Sequence, residues 1–169
     1  MNDAKIKDSA LAAAAQGGYD DFLEAVIGAI KAAAGGELDA ESMPGLNAEQ
    51  ITLWGYLILR DEVMNGGFVG LIHNGYGPFI FLNPFAKAMR LWGLHDFSKL
   101  VYKGRKLYEE KRAEIERECT DDEFMALFEQ NPEFDDLDDA FVESEEEWTA
   151  AVAHYVDAHI EAFVQVESD

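Results

Sequence analysis

The chain has 169 residues, of which 49% are hydrophobic and 12% are aromatic, and its formal net charge is −21. This hydrophobic content excludes wholesale disorder, which requires low hydrophobicity together with high charge, and the length suits one domain spanning residues 1–169. The negative charge disfavours direct contact with nucleic acid or an anionic membrane, because like charges repel.

The first 16 residues carry Asp3 and Asp8 and only a short LAAAA run, which is too weakly apolar for a secretory signal. We expect this segment to form a loosely packed N-terminal helix. No later stretch is apolar for eighteen residues, so nothing is expected to span a membrane. The sequence therefore predicts a cytoplasmic protein.

The first strong helical pattern covers residues 19–34, where apolar side chains recur on one face between two Gly-Gly pairs. A second helix is predicted over residues 48–65, with Asn47 as its N-cap and Gln50 at the capping-box position. The glycines at 66–67 are predicted to end it.

Two further helices follow in the middle of the chain. Pro84 can occupy a first helical position, where its missing N–H costs nothing, and this helix should end near Gly93. Residues 96–118 predict a longer charged helix, with Gly104 as a weak point inside it.

The acidic charge is concentrated after residue 113. Residues 114–169 hold twenty Asp and Glu against the single Arg117, which gives −19 of the total charge, and residues 120–147 contain thirteen carboxylates without Lys, Arg or His. Like charges at helical spacing destabilise a helix, so folding alone does not explain the arrangement.

The acidic stretch nevertheless has the local signals of folded helices. Thr120 with Glu123, and Ser144 with Glu147, both match the capping-box pattern. Apolar residues recur on one helix face, which disordered acidic tails lack. These anchors are Phe124, Leu127, Phe128, Phe134, Leu137, Phe141, Trp148, Val152, Tyr155 and Phe163. The fold predicted is all-α, a single compact helical bundle with acidic C-terminal helices.

The same spacing projects Asp135, Asp139, Glu143 and Glu147 outward at four-residue intervals, about 6 Å apart along a helix. Phosphates along one DNA strand are also separated by several ångströms, so a rigid acidic helix can imitate a phosphate row. The alternative is a solvated acidic face that serves solubility. The candidate partner-binding carboxylates are Asp121, Asp122, Asp135, Asp136, Asp138, Asp139, Glu143, Glu145, Glu146 and Glu147.

The most specific local motif is RDEVMNGGFVGLIHNGYG, residues 60–77. One interpretation is a helix junction, in which the glycines adopt positive φ, Phe68 enters the core and Glu62 accepts N–H groups from the turn. The other is a ligand or catalytic pocket around Glu62, Asn65 and His73. The motif residues are Glu62, Val63, Asn65, Gly66, Gly67, Phe68 and Asn74.

This motif, the stretch PFAKAMRLWGL at residues 84–94 and the acidic C-terminal third resemble a helical bacterial family of DNA-mimic proteins. The resemblance extends from about Asn47 to Phe163. It implies that the acidic surface binds the DNA-binding face of a transcription regulator, of helix-turn-helix type, and blocks its operator binding. The family pattern implies a Gln two residues after Phe68, whereas this chain has Gly70 at that position.

Other functions remain open at this point. The chain has no phosphate-binding P-loop and no nucleophile elbow, and we predict no catalytic residue, metal or cofactor. The rivals to mimicry are an enzyme or ligand-binding domain using the region of Glu62, Asn65 and His73, and a plain acidic interaction subunit. Basic residues between 85 and 112 can pair with carboxylates within the molecule or across a homodimer, rather than bind nucleic acid.

Overall fold

The computed structural model describes residues 4–169, and its regular structure is almost entirely helical. The helices are α1 Asp8–Gln16, α2 Tyr19–Ala33, α3 Ala48–His73, α4 Gly77–Phe81, α5 Phe85–Leu91, α6 His95–Ile115, α7 Asp121–Gln130, α8 Asp135–Ala158 and α9 Ile160–Phe163. Short 3₁₀ turns cover Met43–Gly45 and Pro132–Phe134, and two strands cover β1 Lys5–Lys7 and β2 Gln165–Glu167. The all-α prediction is confirmed.

The chain forms two compact units, with boundaries inside α3 and α8. The terminal unit comprises the described part of Met1–Trp54 together with Thr149–Asp169, and the central unit is Gly55–Trp148. The single domain predicted over residues 1–169 stays a prediction. Among residues 4–169, none of the helices combines the length and hydrophobicity that crossing a membrane requires.

In the terminal unit, α2 has the apolar face that its sequence predicts. Its buried residues are Phe22, Leu23, Val26, Ile27 and Ile30. The strands β1 and β2, which the sequence did not predict, pair in parallel with Lys5 opposite Gln165. The Gln165 N–H also donates to the Ala4 carbonyl at 2.7 Å, so both ends of the described chain belong to one small sheet.

The start of α3 is stabilised by its own N-cap and by a hydrogen bond to the end of α9. The Gln50 N–H donates to Asn47 Oδ1 at 2.8 Å, and the Asn47 N–H donates to Gln50 Oε1 at 3.1 Å, which confirms the predicted capping box. Gln50 Nε2 also donates to the Phe163 carbonyl at 2.8 Å. A buried amide therefore joins the first turn of α3 to the end of α9.

The central unit is built on an aromatic core around Phe97, which is fully buried. Its ring centroid lies 5.1 Å from that of Trp148, 5.4 Å from that of Tyr56 and 6.0 Å from those of Phe85 and Phe141. Because Phe141 and Trp148 belong to α8, this core fixes which face of the acidic helix turns inward.

The predicted break at residues 66–67 is confirmed, although the helix resumes immediately. Gly66 has φ −141° and ψ 15°, and Gly67 has φ 67° and ψ −176°, so neither is helical. Phe68 follows as a fully buried side chain at the start of the second half of α3. The glycines thus kink one long element rather than separate two distant ones.

The helix α6 is continuous through Gly104, and its predicted weakness at this residue stays a prediction. Gly104 is buried inside α6, and a Cβ atom there would lie only 3.0 Å from Phe81 Cε1. The glycine therefore permits close packing of an aromatic ring against the helix backbone. The predicted start at Pro84 is one residue early, because α5 begins at Phe85.

The prediction of a helix start at Ser144 is also wrong. α8 runs without interruption from Asp135 to Ala158, and Ser144 lies in its interior. The physical reason is the apolar face, which continues from Phe141 to Trp148, both of them buried, at a seven-residue interval. The capping box of α7 is confirmed, since Thr120 and Glu123 exchange both hydrogen bonds at 3.2 Å.

Candidate partner-binding surface

The N-terminus of α7 presents the first two predicted carboxylates. Asp121 and Asp122 are exposed in its first turn, where the partial positive charge of the helix N-terminus favours acidic groups. Glu123 is committed to the cap, and the hydrogen bond from the Thr120 N–H lowers its pKa. The exposed carboxylates of Asp121 and Asp122 therefore lie beside that of Glu123, which caps the helix.

Residues 135–147 of α8 present the next predicted carboxylates. Leu137, Phe141 and Trp148 are buried along the inner side of α8, and Phe134, at the end of the preceding 3₁₀ turn, is buried as well. The four-residue row is exposed on the outer side, as its spacing predicts. This row consists of Asp135, Asp139, Glu143 and Glu147.

The geometry of the row follows from the uninterrupted helix. Each four-residue step advances about 6 Å along the axis and turns about 40°, because an α-helix rises 1.5 Å and turns about 100° per residue. From Asp135 to Glu147 the row covers about 18 Å and winds about 120° around α8. The carboxylates therefore lie on a shallow spiral, as do phosphates along a DNA strand.

Most of the predicted carboxylates are unpaired as well as exposed. In the acidic stretch, Lys111 pairs with Glu133 at 3.9 Å and Arg117 pairs with Glu123 at 3.5 Å, and neither of these carboxylates is a predicted contact residue. The exposed carboxylates without an ion pair within residues 4–169 are Asp121, Asp122, Asp135, Asp136, Asp139, Glu143, Glu146 and Glu147.

Two predicted contact residues differ from the others. Glu145 is half-buried. Asp138 is half-buried too, and its Oδ1 accepts the Phe68 N–H at 2.8 Å. The pKa of Asp138 is raised to about 6, chiefly by burial; the Phe68 N–H lowers it, and the neighbouring carboxylates Asp135 and Asp139 contribute to the rise. Asp138 is therefore engaged inside the central unit, whereas its exposed neighbours face solvent.

The glycine motif has a different hydrogen-bond pattern from the one predicted. Glu62 Oε2 accepts the Asn74 side-chain amide at 3.2 Å, while the Phe68 N–H donates to Asp138. The prediction that Glu62 accepts N–H groups from the turn is wrong, because the break at Gly67 brings this N–H against α8. A Cβ at Gly70 would meet no atom within 4 Å.

The rival pocket residues do not converge. His73 Nδ1 lies 3.0 Å from the Ile115 carbonyl, and its Nε2 lies 3.9 Å from Cys119 Sγ. The centroid of its ring lies 4.6 Å from that of Phe124, with the two rings tilted by 35°. No hydrogen bond joins His73, Glu62 or Asn65 to one another in the described chain. Within residues 4–169, no three His, Cys, Asp or Glu side chains are grouped as metal ligands.

The basic residues of α5 and α6 are partly paired within the central unit. Arg105 pairs with Glu109 at 3.1 Å and Arg112 pairs with Glu116 at 3.0 Å, each one helical turn apart. The remaining cations are exposed and have no ion pair within the described residues. They are Lys87, Arg90, Lys99, Lys103 and Lys106.

The fold and this surface define an acidic, all-α protein that presents unpaired carboxylates on anchored helices. The sequence matches the family model described as DMP19-like protein over residues 44–159, and the chain belongs to this family. It is also 34% identical over 127 residues to the DNA mimic protein DMP19 of Neisseria meningitidis serogroup B (strain ATCC BAA-335 / MC58). That match covers 75% of this chain and 77% of the relative. The resemblance to DNA-mimic proteins is confirmed.

Proposed function

We propose that this protein is a DNA mimic that binds the DNA-binding face of a bacterial transcription regulator, of helix-turn-helix type, and blocks its access to operator DNA. The observation that supports this most directly is the set of exposed, unpaired carboxylates on α7 and α8. Membership in the DMP19-like family, and the name of the similar Neisseria protein, support it independently.

The carboxylates can replace phosphates because they offer the same kind of acceptor. Arg and Lys side chains that bind DNA phosphates form charge-assisted hydrogen bonds with carboxylate oxygens as well. The row from Asp135 to Glu147 supplies four such acceptors on one helix. The inhibition breaks no covalent bond, so the proposal requires no catalytic residue, metal or cofactor.

Anchoring distinguishes this surface from a flexible acidic tail. The buried side chains of Phe134, Leu137 and Phe141 hold the carboxylates on one rigid helix. A rigid acceptor array loses less conformational entropy on binding than a disordered segment does. A face that serves only solubility needs no such order, which favours mimicry over a plain acidic subunit.

The proposal is tested by capture followed by competition. The full chain is immobilised and incubated with bacterial lysate, and the bound proteins are eluted with duplex DNA, with salt, or with buffer alone. A purified captured regulator is then challenged on its labelled operator with increasing amounts of this protein. We expect regulators to be released by DNA and by salt, since ionic contacts weaken as screening increases, and we expect the operator to be displaced.

Two results would contradict the proposal. Retained proteins that bind no DNA would show that the surface serves another partner. A regulator that binds this protein and its operator at the same time would show that the two do not compete for one face. A second column carrying the chain with Asp135, Asp139, Glu143 and Glu147 neutralised is the matched control, because it retains the anchoring residues.

A further inference from the structure

The contact between Asp138 and Phe68 links the acidic helix to the kink of α3. The Phe68 N–H donates to Asp138 Oδ1 at 2.8 Å, across 70 positions of sequence. Phe68 itself is fully buried. Water therefore cannot readily replace the acceptor, and loss of this bond would leave a donor without a partner.

The glycine break makes room for this contact. Gly67 has a φ of 67°, in the left-handed region that favours glycine. A Cβ at Gly67 would also lie 2.5 Å from Asp138 Oδ2, which is closer than real Cβ contacts come. The helix that resumes at Phe68 begins with N–H groups that have no acceptor within the helix. Asp138 of α8 accepts a hydrogen bond from one of these N–H groups, that of Phe68.

The position is electrostatically unfavourable for a carboxylate that serves only as surface charge. Burial raises the pKa of Asp138 to about 6, and Asp135 and Asp139 on the same helix oppose its ionisation. From α3, the group that faces it is the Phe68 N–H, which favours the charged form. The hydrogen bond with the Phe68 N–H is therefore the interaction that favours a charged carboxylate at this position.

We propose that Asp138 is a positioning residue, which fixes α8 against the kink of α3 and thereby sets the orientation of the carboxylates beside it. Asp135 precedes it by one helical turn and Asp139 follows it directly, so both depend on how α8 is seated at this point. The proposal rests on the proposed function, since it assigns Asp138 to support of the binding surface rather than to contact with the regulator.

Three variants separate support from contact. Asp138→Asn removes the charge but keeps an oxygen that can accept the Phe68 N–H. Asp138→Ala removes both the charge and the acceptor. Asp136→Asn is the matched control, since it removes one charge from an exposed neighbour that has no ion pair in the described chain.

The readouts are affinity for the captured regulator, measured by calorimetry, and hydrogen exchange of the Phe68 amide. We expect Asp138→Asn to keep the amide protected and to weaken binding by less than about twofold, whereas Asp136→Asn weakens it by about two- to fivefold. Asp138→Ala should lose the protection and weaken binding by about tenfold or more.

An Asp138→Asn variant that binds as weakly as Asp138→Ala would overturn the proposal, because the charge itself would then be recognised. Wild-type protection of the Phe68 amide in Asp138→Ala would overturn it as well. If Asp138→Ala does not fold, the comparison of Asp138→Asn with Asp136→Asn still decides. A wild-type chain that captures no DNA-binding protein would refute the proposed function, while the exchange measurement would still test the contact.

Discussion

Neutralising the four-residue row on α8 tests whether spacing, rather than total charge, is recognised. The variant replaces Asp135 and Asp139 by Asn, and Glu143 and Glu147 by Gln. All four side chains are exposed and have no ion pair within residues 4–169. We expect α8 to persist, because removing like charges one turn apart relieves repulsion of a few tenths of a kcal/mol per pair.

The expected loss follows from the number of contacts. A carboxylate that meets a partner cation while partly solvated contributes roughly 0.5–1 kcal/mol. Four such contacts sum to roughly 2–4 kcal/mol, which corresponds to binding weaker by about 30- to 700-fold at 1.4 kcal/mol per tenfold change. Contacts that lose their water on binding would increase this figure.

A matched control removes the same charge from other positions. Glu24, Glu37 and Glu110 are replaced by Gln, and Asp157 by Asn; all four are exposed and unpaired in the described chain. A charge that the partner's cations do not contact is largely screened by water and salt, because the Debye length is about 8 Å. We therefore expect less than a twofold change.

The assay is displacement of the regulator from labelled operator DNA, followed by fluorescence anisotropy, with circular dichroism confirming equal helicity. A large loss for the row variant alone would support a spaced array. Equal losses in the two variants would refute the reasoning, since only net charge would then steer the encounter.

Three further predictions concern the scaffold. Gly104→Ala should lower the free energy of unfolding by about 1–3 kcal/mol, because the new methyl group crowds Phe81. Gly28→Ala should raise the free energy of unfolding by about 0.5–1 kcal/mol, because a Cβ there meets no atom within 4 Å and Ala favours the helix. Urea denaturation measures both changes. The pKa of Asp138 is raised to about 6 in the folded state, so between about pH 4 and pH 6 the folded chain holds a proton that the unfolded chain releases. Because the side chain is partly exposed and its interactions are screened, this group should add about 1–2 kcal/mol of stability as the pH falls from 7 toward 4. Asp138→Asn should abolish that dependence in denaturation measured at several pH values. Burial and a hydrogen bond to a carboxylate raise the pKa of Tyr155 to about 12, so alkaline absorbance titration should lose a late-ionising tyrosine in Tyr155→Phe.

The features predicted correctly depend on neighbours in sequence. The capping boxes at Asn47 and Thr120 are closed by residues three positions later, and the buried face of α2 repeats every three or four residues. Such interactions are decided within one or two helical turns, so the local sequence contains the information. The row on α8 is exposed for the same reason, since its spacing is complementary to that of the buried side chains.

The features predicted incorrectly depend on distant contacts. Ser144 has a valid local capping pattern, but burial of Trp148 in the aromatic core keeps α8 continuous through it. The Asp138 side chain accepts the backbone N–H of Phe68. No local pattern near residue 138 indicates this contact, because Phe68 is distant in sequence.

The pairing of β1 with β2 has a consequence for the order in which the chain folds. The central unit is one continuous segment, Gly55–Trp148, so it is complete once that segment has been synthesised. The terminal unit instead joins Lys5 to Gln165 across the sheet, so its closure must wait until Gln165 has been synthesised. A nascent chain stopped before residue 165 would leave β1 as an unpaired edge, open to other strands. The two short strands therefore couple the folding of residues 5–7 to the synthesis of residues 165–167.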